Sequence, residues 1–345
     1  MQAIVKPNAS PGFDLRRVDM PAVGPRDVLI KVKYASICGT DLHIFNWDKW
    51  SQNRIKPPLI MGHEFTGVVE KVGEEVVYIR EGDHVSAESH IICKACYQCR
   101  TGNAHVCSNV KILGVDTNGG FAEYVSVPDI CVWKHGKHIS WEAGCIMEPL
   151  GNAVHTTLQT EVAGKTVAVF GCGPAGLMAI AVAKAAGAAE IFASDVSDYR
   201  LKLAKKIGAK HVFNPKETDV AKEIKDQTNG LGAEVVLENS GNPSAVKSAF
   251  KALRDAGRIS LFGLPSEPVA LDLPNDIIFK GATVLGITGR RMYETWYKMA
   301  GLIKGGALDV SNIITHRIQF SDWRKGFDLM NSGNSGKIIM HVDGK

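Results

Sequence analysis

The stretch TVAVFGCGPAGLMAIAVAKAAGAAEIFASD, residues 166–195, decides the fold. An apolar β-branched run from Thr166 to Phe170 leads directly into Gly171-x-Gly173-x-x-Gly176 and then into small residues suited to a helix. In such a turn the first glycine permits the bend, the second lets backbone approach a pyrophosphate, and the third lets helix pack close to strand. The helix start then offers free N–H groups and the positive end of its dipole to an anion. A second strand closes on Asp195, roughly twenty residues on, where an acid meets the hydroxyls of an adenosine ribose. A carboxylate there repels a 2′-phosphate, so NAD is expected over NADP. Arg200, a residue type that elsewhere accepts a 2′-phosphate, is read here as flanking the adenosine.

Working outward, HVFN (211–214), AEVVLEN (233–239), GRISLFG (257–263) and TVLGIT (283–288) read as further strands. Helical periodicity over 199–207, 219–228 and 244–253 separates them. Strands alternating with helices of this length predict an α/β unit with a doubly wound parallel sheet. Towards the N-terminus the pattern differs. QAIVK, DVLIKVKYA, TGVVEKVGEEV and FAEYVSV are short, Val-rich and punctuated by Gly or Pro, which predicts a β-rich unit over the first 150 residues or so. After Arg291 the pattern loosens into a helix over 294–304, IITHRIQF, a helix over 322–330 and a terminal strand KIIMHV.

A chain of 345 residues exceeds one ordinary core and predicts two domains. The 40 Lys plus Arg against 36 Asp plus Glu give a scattered net charge of +4, which argues against nucleic acid or an anionic membrane as partner. MQAIVKPN lacks the basic and apolar regions of a signal peptide, and the most apolar stretch, 166–183, is broken by glycines and a proline. With eight cysteines, four of them tightly clustered, metal thiolates in a reducing compartment are expected, and the location is read as cytoplasmic.

Those four, Cys93, Cys96, Cys99 and Cys107, stand in C-x2-C-x2-C-x7-C. Four thiolates close a tetrahedral zinc site and leave no open position, so this metal is expected to be structural. Free or disulfide-linked thiols are the bland alternative. A nucleic-acid finger is another, though the long gap between its Cys pairs is missing here. Cys131, Cys145 and Cys172 read as small buried hydrophobes, with Cys172 in the Gly-rich turn a guess for oxidation.

A second metal-binding set is dispersed. Cys38 lies in CGTDLH with Thr40, Asp41 and His43, while His63 and Glu64 lie in GHE. A catalytic zinc takes about three protein ligands and one open position, and Glu148, in MEPLGNAVH, is a further ligand candidate or an ordinary helix-start acid. Adjacent His63 and Glu64 bind one ion only with strain, so Glu64 is expected as a ligand in some states. Thr40 and His43 form a possible proton wire to solvent, although a His there also occurs as an incidental surface residue.

Together these residues resemble the zinc-containing medium-chain alcohol dehydrogenases over essentially the whole chain. SICGTDLHIFNWDKWSQ, EPLGNAVHT, GITGRRMYETWYKMAGLI and SNIITHRIQF are similar to the threonine-oxidising branch of that family. The resemblance implies a GroES-like catalytic domain over 1–150 with a structural-zinc lobe near 90–110, a Rossmann domain over 151–290, and a return to the catalytic domain over 291–345. It implies that Cys38, His63 and Glu64 bind catalytic zinc, that Thr40 and His43 relay the proton, and that Glu148 tunes the metal site or joins the relay. Gly171, Gly173, Ala175, Gly176, Asp195, Arg200, Phe262, Gly263, Leu264, Ile287 and Thr288 would contact NAD; Ala175 departs from the branched residue usual there. Two Zn2+ per subunit, a homotetramer and oxidation of L-threonine at C3 follow from the same resemblance. Arg290 or Arg291 is a candidate for the substrate carboxylate and Glu148 for its ammonium. The rivals are a polyol or 2,3-butanediol dehydrogenase and a zinc-stabilised NAD-binding module without turnover.

Overall fold

The computed structural model describes residues 1–343. They divide into two compact units: Met1–Pro149 with Ile314–Gly333 and the segment from Lys337, and Leu150–Ile313 with Asn334–Gly336. Among the described residues, no helix is long and apolar enough to cross a membrane.

The first unit is β-rich. Its main sheet runs in the order 132–134, 84–87, 65–72, 27–36, 337–341 and 314–319, with 124–128 also paired to 27–36. Alternation along these strands buries Val28, Ile30 and Val32 with Phe65, Val85, Phe121, Val125, Val127, Ile338 and Met340 in one core. The long strand Asp27–Ser36 and the strand Phe65–Val72 are antiparallel neighbours, with Ala35 opposite Phe65. Residues just past Ser36 and just before Phe65 therefore meet at one end of the sheet, and these are Cys38, His63 and Glu64.

The second unit carries the sheet expected from 166–195. Six strands, all parallel, run in the order 211–213, 190–194, 166–170, 233–238, 253–261 and 283–286. The first strand sits centrally and the chain winds outward on both sides of it, the doubly wound arrangement that leaves a crevice at the carboxyl ends of the strands. Helices Pro174–Ala185 and Asp198–Ile207 pack as one pair, and Val220–Gln227 and Pro243–Ala252 as another.

Two boundaries differ from those read in the sequence. Residues 291–313 cluster with the second unit, so the return to the first begins at Ile314 and not near 291. The physical reason is packing: in helix Glu294–Lys304, Trp296 and Met299 are fully buried. A Cβ on Gly151 would lie 2.6 Å from Arg290 Cδ and 3.4 Å from Met299 Cε. Further, the division between Pro149 and Leu150 falls inside helix Met147–Thr157. Proline in a first helical turn is tolerated because its missing N–H would have had no intrahelical partner.

Candidate functional site

Cys38 ends the path from strand Asp27–Ser36 as the N-cap of helix Gly39–Asn46, and its N–H donates to Asp41 Oδ2 at 2.9 Å. The far end of the helix is held by Lys6, which is fully buried. Its Nζ donates to Ile44 O at 3.0 Å and Gly12 O at 3.2 Å and stands 4.5 Å from the centre of the Trp47 ring. Burial lowers the Lys6 pKa to about 8.

Gly62 sets the other side of the site. Its φ is +90°, and a Cβ there would lie 2.1 Å from the Phe121 ring; only glycine lets the turn run this close before His63. One ligand atom from each of Cys38, His63 and Glu64 lies within 4.8 Å of the others. Glu64 is fully buried. Its Oε2 accepts from Ser36 Oγ and pairs with Lys337 Nζ, while Oε1 is buried with no hydrogen-bond partner. His63 Nδ1 and Asp41 Oδ1, 3.6 Å apart, also lack a hydrogen bond.

Orphaned buried polar atoms such as Glu64 Oε1 are costly unless something binds them. The electrostatics identify what would. Burial opposes a charge on His63, yet Asp41, Cys38 and Glu148 outweigh it and hold its pKa well above the usual value. Burial likewise opposes a charge on Lys337, and Glu64, Cys38 and Asp41 overcome it. Burial pushes the Asp41 carboxyl up to about 6. A half-buried Cys with a buried His and carboxylate, in an excess of negative charge, fits a divalent cation, with Asp41 placed to orient the His ligand from behind. Glu148 is buried and accepts from Ser89 Oγ at 2.6 Å. It lies outside the close ligand group.

Thr40 and His43 share one face of the helix begun by Cys38, three residues apart. Thr40 is half-buried and the His43 side chain is 64% exposed, so the pair runs from the site towards solvent.

In the lobe near 90–110, Sγ atoms of Cys93, Cys96, Cys99 and Cys107 lie within 4.8 Å of one another. The Cys93–Cys107 and Cys96–Cys107 separations are 3.5 and 3.8 Å. Tetrahedral bonds of ~2.3 Å to zinc place sulfurs ~3.8 Å apart. N–H groups of Ala95 and Cys96 and the Asn109 amide lower the Cys93 pKa to about 6, whereas burial raises that of Cys99 to about 12. The arrangement fits a closed four-thiolate site.

In the second unit the expected cofactor residues gather at the carboxyl ends of the strands. Gly171 follows 166–170, Asp195 follows 190–194, Phe262, Gly263 and Leu264 follow 253–261, and Ile287 and Thr288 follow 283–286. Gly173 caps the helix that Pro174 and Ala175 begin. Gly176 stands so close that a Cβ would be 1.8 Å from Gly171 O. Asp195 Oδ2 accepts from Cys172 N at 2.7 Å and Oδ1 from Ser197 N at 2.9 Å, tying the acid to the glycine turn. Arg200 Nε is buried with no partner. Cys172 is fully buried, and burial raises its thiol pKa, which counts against oxidation at this position.

The sequence reading missed several groups. Lys337 and Ser36 on Glu64, and Ser89 on Glu148, carry no local signal, because each meets its partner only through folding. Glu238, fully buried, accepts from Ser240 N at 2.9 Å and Gly241 N at 3.1 Å beside Gly263; a carboxylate ending an apolar strand was the available clue. Arg290 is buried and donates to Asn152 Oδ1 at 3.1 Å, and Arg291 lies 3.8 Å from Glu294. Each thus has a structural partner within its own unit.

Comparison with known proteins adds to this geometry. Residues 24–137 match the alcohol dehydrogenase GroES-like domain and residues 174–305 match the zinc-binding dehydrogenase family. The chain is 52% identical over 342 residues to the L-threonine 3-dehydrogenase of Caldanaerobacter subterraneus subsp. tengcongensis, covering 99% of each. Among solved structures, a zinc-binding dehydrogenase from Sinorhizobium meliloti bound to NADP superposes with TM-score 0.90 at 29% identity, covering 99% of each chain. An alcohol dehydrogenase from Escherichia coli CFT073 complexed with NADH superposes with TM-score 0.90 at 27% identity and the same coverage. Sequence, fold and paired metal-binding clusters agree that the chain belongs to the zinc-binding alcohol dehydrogenase family.

Proposed function

We propose that the chain oxidises the C3 hydroxyl of L-threonine to 2-amino-3-oxobutanoate with NAD. The observation that carries this reading is the group of half-buried Cys38 with buried His63 and Glu64, and Thr40 and His43 on the helix that Cys38 begins. The choice of L-threonine rests on the relative of that name, which spans the same length. Zinc held by Cys38, His63 and Glu64 would supply Lewis acidity that lowers the pKa of the substrate hydroxyl, and NAD held at the glycine turn would accept hydride. The protein's own groups do the rest. Cys38 and Glu64 supply negative charge to hold the cation, and Asp41 orients His63. Thr40 and His43 hold and move the proton towards solvent, and Glu148, fixed by Ser89, tunes the site. The Cys93, Cys96, Cys99 and Cys107 set holds a second zinc with a structural role.

The reading extends to a cytoplasmic homotetramer that binds a small-molecule substrate and neither nucleic acid nor membrane. Exposed Leu273, Ile278, Phe279 and Val284, at or near the outer strand of the parallel sheet, support self-association. Relatives with either NADH or NADP share the fold, so the choice of cofactor rests on Asp195.

With L-threonine as substrate, kcat/KM is expected to favour NAD over NADP. Asp195→Ala removes the acid at the ribose and the acceptor of the Cys172 N–H. Loss of a charged hydrogen bond of about 1.5–3 kcal/mol lowers kcat/KM for NAD by about tenfold to a hundredfold, and the effect on NADP should be smaller. An NAD-to-NADP ratio unchanged in Asp195→Ala would remove the ribose role.

A further inference from the structure

The relay helix ends in a corner that turns the next residues back on it. Trp47 adopts the left-handed conformation, with φ 57° and ψ 48°, and its N–H is directed to the carbonyls of His43 and Ile44. This corner is held from below by buried Lys6, under the Trp47 ring and bonded to Ile44 O. It brings Asp48 Oδ2 to 2.6 Å from His43 Nδ1. The other oxygen, Oδ1, accepts from Ser51 N at 2.9 Å and Ser51 Oγ at 3.0 Å, capping helix Lys49–Arg54. Both carboxylate oxygens are therefore fixed. Burial of Asp48 works against its charge, but the Ser51 N–H, His43 and the Ser51 hydroxyl outweigh it and hold its pKa below the ordinary value.

An ionised carboxylate only accepts hydrogen bonds. At this distance from Nδ1 it requires Nδ1 to carry the hydrogen, and Nε2 is left with its lone pair free to take a proton. We propose that Asp48 is a positioning residue for the proton relay, fixing His43 in the Nδ1–H tautomer and stabilising the imidazolium formed when Nε2 is protonated. This rests on the relay role given above to Thr40 and His43. The plainer account makes Asp48 an N-cap that touches His43 incidentally, since exposed ion pairs add little stability.

Asp48→Asn separates the two. Asn caps a helix about as well as Asp, so the bonds to Ser51 survive through its amide oxygen. Its NH2 then faces His43 Nδ1, which must accept, and the hydrogen moves to Nε2. Single-turnover NADH formation by zinc-loaded protein with NAD and L-threonine is expected to slow by about tenfold to a hundredfold, part of the worth of general acid–base catalysis. KM values should stay within about twofold, the melting temperature should hold, and added imidazole should restore part of the rate, because His43 is open to solvent. Histidine 15N shifts should show the tautomer change. Asp48→Ser, also a good cap, serves if the Asn variant folds poorly and should show the same slowing. Wild-type rates in Asp48→Asn beside a slowed His43→Gln would overturn the proposal and leave the relay standing. Wild-type rates in His43→Gln would overturn the relay, and Asp48's role with it.

Discussion

Cys38→Ser is expected to reduce turnover at least about a thousandfold, since the Lewis acidity it forfeits is worth several kcal/mol. It should also cut bound zinc by one ion per chain. The substitution is chosen because it separates the metal from the fold. Cys38 is the N-cap of that helix and forms a capping box with Asp41, the third helical residue. Serine is among the preferred N-caps, so the helix carrying Thr40 and His43 should be at least as stable as before. What serine cannot supply is a thiolate: its hydroxyl stays neutral, and the remaining donors, His63 and one oxygen of Glu64, are too few for a zinc site. Metal analysis, a melting curve and an activity assay on the same preparation check the three parts together. Retained turnover with full zinc content would contradict the ligand role.

Gly176→Ala should strike the other half of the reaction. A single methyl would fall 1.8 Å from Gly171 O and 2.9 Å from its carbonyl carbon. Backbone cannot yield as a flexible side chain does, so the turn 171–176 must shift from the helix start that would face the pyrophosphate. Overpacking of this kind costs about 1–3 kcal/mol. If that cost falls on the cofactor-bound geometry, NADH affinity drops by about tenfold to a hundredfold. Zinc content should be unchanged, because both metal clusters belong to the first unit. NADH fluorescence titration measures this directly, and wild-type affinity would remove the close approach from the account of the site. Opposite losses in the two variants, metal in one and cofactor in the other, would show the two functions to be separable.

The parts legible in the sequence are those whose physics is local. The strand–turn–helix of 166–195 declares itself because a buried strand, a glycine spacing and a small-residue helix are contiguous. The thiolate quartet does so because one short loop carries every ligand. Cys38, His63 and Glu64 were legible as types, while their meeting depends on the pairing of 27–36 with 65–72. Lys337 could not be read at all. It belongs to a strand of ordinary apolar character, and only the pairing of that strand with 27–36, Ile339 opposite Ser36, brings its ammonium to Glu64. The boundary near 291 was misplaced for a related reason: the apolar face of helix Glu294–Lys304 announces burial without saying against which unit. Asp48 was visible in SICGTDLHIFNWDKWSQ, yet its reach back to His43 depends on a left-handed Trp47 that no propensity scale favours.

The most direct test of the proposed chemistry is the initial rate of NADH formation by zinc-loaded protein given NAD with L-threonine, sorbitol or 2,3-butanediol. Strong turnover on L-threonine with little on either diol is the expected result. Turnover on the diols alone would keep the zinc and NAD chemistry and contradict the substrate.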